Sequence, residues 1–274
     1  QRLLHSSLSL AAFAGGAAFC FLLLWGFNYG RLEIERQLEL DVQPLSTAEL
    51  GRELERETGR LVELRARIPG ASADPLTSAA LPDRLEDHLR DGLEGWLANR
   101  GFPVTGRVRV RRLWPRGIFL RFSSSGLYFP FTGEGHVDAG VHPLQQPYVM
   151  AHELAHGYGF GDEGTCNFLA YVSCIDAPYP FIAYAGAFNY WRTLAANYLR
   201  YAPEAYRALR QTLPPGIRAD LDAVNENLRK YPDLMPRLRY YAYDTYLKTQ
   251  GIEEGMLNYN RVIMLVRAWR KRNG

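Results

Sequence analysis

The chain has 274 residues, 47% of them apolar and 22% charged, which allows a sizeable core and excludes a disordered or collagen-like polymer. A net charge of +3 is too mild to mark a nucleic-acid binder, so no nucleic-acid partner is expected. Three cysteines cannot build a disulfide framework. Cys166 and Cys174, if on one helix, stand roughly 12 Å apart, beyond the reach of a bond.

Residues 8–27 run LSLAAFAGGAAFCFLLLWGF without a charge, and as a helix they span roughly 30 Å, the thickness of a bilayer core. Trp25 and Tyr29 fall at one end, where interfacial aromatics belong. No small-x-small cleavage site follows, and Phe19 is too large for a lipobox ending at Cys20. Residues 1–30 therefore read as a transmembrane helix. Because residue 1 is Gln and not Met, an upstream part is expected.

Ser46-x-x-Glu49 is a capping box opening an amphipathic helix to about residue 68, closed by Pro69-Gly70. Residues 85–100 form a second helix. The period then changes to two: Arg107, Arg109 and Arg111 alternate with Val108 and Val110, as in a strand with one arginine face. Such a face suits anionic headgroups or an acidic partner, but a solvated edge strand blunted by charge is the simpler reading. Residues 118–122 and 127–131 read as further short strands. Beyond Pro147 the chain looks helical to its end, punctuated at residues 178–180, 214–216 and Gly251. Residues 31–274 thus read as one α+β domain, mostly helical, with a small antiparallel sheet between helices.

His152-Glu153-Leu154-Ala155-His156 is HExxH on a segment without a helix breaker. Positions i and i+4 stack on one helix face, so both imidazoles reach one Zn²⁺. Glu153, one residue round, suits the general base that takes the proton of a zinc-activated water. Chance supplies such a match in a chain of this kind on the order of one time in a hundred, so the context matters. Gly157, Gly159 and Gly161 force a sharp turn, and Asp162 and Glu163 stand directly after it. A hydrolytic zinc site takes three protein ligands, and an acid brought back by this turn supplies the third. Glu163 is the preferred ligand and Asp162 the alternative. Asn167, at i+4 from Glu163, is placed to hydrogen-bond a ligand histidine, similar to the ExxxD arrangement of gluzincins with Asn in place of Asp. The segment before HExxH, residues 128–138, is expected to line the cleft and pair with an extended peptide. His136, His142 and the tyrosines Tyr240, Tyr241, Tyr243 and Tyr246 are candidate oxyanion donors.

WGFNYGR (25–31), the helix with STAEL, PFTGEGHVD (130–138), AHELAHGYGFGDEGTCNFLAY (151–171) and DTYLKTQGIEEGMLNYNRV (244–262) resemble, in order and over most of the chain, the bacterial membrane-protein family named domain of unknown function 3810. The resemblance implies a zincin-like metallopeptidase domain, gluzincin in type, after several membrane helices, of which residues 1–30 hold the last. Other members carry an acid where Thr165 stands here. The acid at Glu163 is common to both patterns. Two further spans upstream would put the domain outside the cytoplasm of a bacterial inner membrane, although Arg31 and Arg36 after the span slightly favour the reverse.

The reading is therefore a membrane-anchored zinc metallopeptidase acting on a peptide or protein substrate, with the lipid bilayer and a membrane-protein complex as further partners. The alternative is an inactive zinc-stabilised scaffold subunit. Glu153, which a purely structural zinc site does not need, separates the two.

Overall fold

A computed structural model describes residues 2–235, 241, 245 and 261–273. The first helix, α1 (Arg2–Leu24), contains a stretch, His5–Leu24, long and apolar enough to cross a membrane. Leu8, Leu10, Phe13, Phe19 and Leu22 to Leu24 are exposed, Phe13 by 75%, so it is not a core helix. A 3₁₀ turn, Gly26–Gly30, and the one-turn α2 (Ile34–Gln37) lead into the body.

In α3 (Thr47–Ala66) the expected capping box is complete. The Ser46 hydroxyl accepts from the Glu49 amide at 3.3 Å, and the Glu49 carboxylate accepts from the Ser46 amide at 2.9 Å. Leu50, Leu54, Leu61 and Leu64 form its buried stripe, and a fully buried leucine contributes about 1.5–3 kcal/mol. Next come α4 (Leu85–Ala98) and three strands, β1 (Arg109–Leu113), β2 (Gly126–Phe129) and β3 (Glu134–Asp138). The remaining described helices are α5 (Gln146–Gly157), α6 (Glu163–Ile175), α7 (Pro180–Tyr201), α8 (Pro203–Thr212), α9 (Pro215–Arg229) and α10 (Arg261–Asn273). α3 packs along α7, α6 lies between α5 and α7, and α5 covers the sheet.

The sheet corrects the antiparallel expectation. Its order is β1-β3-β2, with β1 parallel and β2 antiparallel to β3. The tight β2–β3 hairpin returns the chain into the middle of the sheet. β3 thereby meets β1 head to head across a long crossover, the connection parallel strands require. Residues 118–122, expected as a strand, instead hold a 3₁₀ turn, Leu120–Phe122. Three backbone amides there, Gly117, Phe119 and Leu120, donate to the buried Asp138 carboxylate at 2.7, 2.8 and 3.1 Å. This long-range anchor overrides the local alternation. The arginine-rich β1 is an edge strand, with Arg111 paired to Glu134 at 2.9 Å; just ahead of it, Arg107 pairs with Asp87 at 3.1 Å. Cys166 and Cys174 are buried free thiols of α6.

Candidate metal centre

Pro147 sits in the first turn of α5, where its missing N–H costs nothing. His142 receives the Leu144 amide on Nδ1 at 3.3 Å just ahead of the helix. His152 and His156 then fall one above the other, with their Nε2 atoms 3.1 Å apart. α5 ends at Gly157, and the chain turns through Gly159 at φ +83°, a conformation that suits glycine.

The turn delivers two acids to different tasks. Asp162 caps α6, accepting the Thr165 amide at 2.6 Å. Glu163 opens that helix, where a carboxylate suits the dipole. Its Oε2 lies 3.1 Å from His152 Nε2 and 3.6 Å from His156 Nε2. His156 and Glu163 are buried, and His152 leaves 12% of its side chain exposed. Among the described residues, these three form the group of metal-binding side chains whose ligand atoms all lie within 4.8 Å of one another.

Their outer contacts fix the rings. His152 Nδ1 is 3.0 Å from Asn167 Oδ1, and His156 Nδ1 is 2.8 Å from the Phe160 carbonyl. Both oxygens accept, so each Nδ1 carries the proton and each Nε2 presents a lone pair. Tyr148 holds Asn167 in turn, donating to its carbonyl at 2.9 Å. Three lone-pair atoms at 3.1–3.6 Å repel unless positive charge sits among them. Donors 2.0–2.1 Å from a tetrahedral zinc stand roughly 3.3 Å apart, so this set fits the ion. The electrostatics agree. Burial opposes charge on His156, yet Cys166 and Glu163 lift its pKa well above the ordinary range. Burial likewise opposes charge on Glu163, yet the two histidines hold it well below the carboxylate range.

Glu153 lies beside this group, 4% exposed, with Oε2 lacking a hydrogen-bond partner. Burial pushes its pKa up to about 7, against the pull of the two histidines. β3 is glycine at 135 because a Cβ there would stand 2.8 Å from the Glu153 Cβ.

All five residues, His152, Glu153, His156, Glu163 and Asn167, line a cleft of about 860 Å³. Its other walls are residues 122–131, Tyr148, Val149 and three residues around the end of α1: Phe21, Trp25 and Tyr29. The Trp25 ring packs edge-on to His156 at 5.8 Å and tilts against Tyr128 at 5.0 Å. Arg31 donates to the Tyr158 carbonyl at 3.0 Å and lies 3.9 Å over Phe160, so the glycine turn is braced by the exit of α1. The sequence marks Trp25 as an interfacial aromatic and carries no sign that it walls the site.

Of the proposed oxyanion donors, the described ones, His136, His142 and Tyr241, do not line the cleft. His136 alternates to the face of β3 opposite Gly135, and His142 sits before α5; neither lines the cleft. Tyr241 is 70% exposed, and Tyr240, Tyr243 and Tyr246 lie outside the described residues. Tyr128 is a phenol that does line the cleft. Its pKa is raised by burial and drawn down by His156.

The family described as protein of unknown function (DUF3810) matches residues 1–267. The chain belongs to this family. No curated protein and no solved structure shows significant similarity to it. For this DUF3810 chain, the chemistry of the site therefore rests on the geometry of its own residues.

Proposed function

We propose that the chain is a zinc-dependent peptidase of zincin type, close to the gluzincins, anchored in the bacterial inner membrane by α1 with its catalytic half outside the cytoplasm. The observation that carries this reading is the convergence of two imidazole Nε2 atoms and the Glu163 carboxylate beside the buried carboxyl of Glu153, whose Oε2 has no hydrogen-bond partner. His152, His156 and Glu163 would hold Zn²⁺. When bound, the ion supplies Lewis acidity and lowers the pKa of water at its open position to about 7.

The protein's own residues do the rest. Glu153, with a pKa near 7, takes the proton from the attacking water and passes it to the departing amine. Asn167 and the Phe160 carbonyl keep both imidazoles in the ligand tautomer. β2 is an edge strand facing the cleft, along which an extended peptide can pair. The Tyr128 phenol is the group we assign to the developing oxyanion.

The test is zinc stoichiometry together with peptide hydrolysis, wild type against Glu153→Gln. The variant is expected to keep one zinc per chain and lose activity by about 10²–10⁴-fold. Protein prepared away from chelators that carries no stoichiometric zinc would overturn the reading. So would a Glu153→Gln variant as fast as wild type.

A further inference from the structure

The cleft shares a wall with the apolar helix. Phe21 belongs to the stretch His5–Leu24, and at 1.5 Å per residue it lies about 4.5 Å inside the end of that stretch. The facing rim is built from residues 127–131. Leu127, Phe129 and Phe131 are 48, 41 and 45% exposed there; each borders the cleft, Leu127 and Phe129 alternating along β2 with the inward-pointing Tyr128. Exposed apolar side chains grouped at the mouth of a cleft mark a contact surface. This one is continuous with the helix that would enter lipid, and the exposed Arg121 stands on the preceding turn. Aromatic side chains with an arginine behind them are the composition of a bilayer interface.

We infer that the rim of Leu127, Phe129 and Phe131 is seated in the headgroup layer beside α1, and that the cleft takes its chain from that layer: the juxtamembrane segment of a membrane-inserted protein. The substrate half of this inference rests on the peptidase reading above. A chain leaving the bilayer beside Phe21 reaches His152 and His156 without crossing bulk water. A free peptide would have to enter past a rim covered by lipid.

The experiment uses the full chain in phosphatidylethanolamine–phosphatidylglycerol proteoliposomes, in a Cys20→Ser background. A nitroxide is placed at Phe131→Cys, at Phe129→Cys as a second rim position, and at Arg207→Cys on α8 as an exposed control. Accessibility to oxygen against a water-soluble nickel chelate is read by electron paramagnetic resonance. The rim labels are expected to show an oxygen preference at least fivefold above the control. Rim labels as aqueous as position 207 would overturn the seating. In parallel, a fluorescence-quenched peptide fused to a single-span helix in the same vesicles is compared with the same peptide free in buffer, and the anchored form is expected to be cut at least tenfold faster. Equal rates would overturn the juxtamembrane substrate. If neither peptide is cut while the rim labels read as immersed, the hydrolytic function fails and the seating stands.

Discussion

Asn167 fixes His152 through its side-chain oxygen and is itself held by Tyr148. Removing such a support typically costs 10–100-fold in metal affinity. Asn167→Ala is therefore expected to weaken zinc binding by about that factor in a chelator competition, and Asn167→Asp to retain it. His142 supplies a pH arm. Its pKa is lowered, chiefly by burial, and its Nδ1 accepts the Leu144 amide. Below the ordinary histidine pKa of about 6.5 the unfolded chain takes up a proton that the folded chain resists. Stability from this residue is thus present above that pH and lost on acidification. His142→Asn keeps an acceptor and removes the titration, so melts at pH 7 and pH 5 should differ less than in wild type. At this scale the sequence reveals what one helix or one turn brings together: spacing pairs His152 with His156 and brings an acid back beside them, while the choice of Glu163 over Asp162 is read from the structure. It conceals what distant segments bring. Nothing local tells that Asp138 collects amides from 117–120, or that Trp25 meets His156.

Elements were legible where punctuation was strong. The Ser46 box, Pro69-Gly70, the residue 178–180 break and Pro214-Pro215 all fall where helices begin or end. The break at Ala202 is the exception. Ala202 stands at φ −141°, ψ 63° before Pro203, and it separates α7 from α8; a residue preceding proline is pushed out of the helical region. Strand order was not legible, because register and direction are set by which edge the hairpin joins, not by alternation. β3 fits closely against α5. A Cβ on Gly135 would stand 2.8 Å from the Glu153 Cβ and 2.9 Å from Val110 Cγ2. Gly135→Ala is expected to cost about 1–3 kcal/mol in a denaturant melt, as overpacking does, and to displace the Glu153 carboxyl.

Across the whole molecule, α10 closes the fold on α3 through buried charge. Arg270 pairs with Glu53 and Glu57 and also donates to the Tyr171 hydroxyl, with Glu57 fully buried. Burial raises the Glu57 pKa and the Arg270 charge opposes that rise. Removing one partner of a buried pair typically costs 3–5 kcal/mol. Arg270→Met is thus expected to destabilise by about that amount, read as a shift of the denaturation midpoint with the slope unchanged. The N-terminal end is bound into the molecule just as firmly. Trp25 packs on His156, and Arg31 holds the Tyr158 carbonyl, so the exit of α1 is a wall of the site and not a leash. A recombination that joined residues 31–274 to a foreign anchor would keep every donor atom and lose the indole behind them. A chain that begins at Arg31 therefore opens with a hole beside His156, where the indole of Trp25 packs.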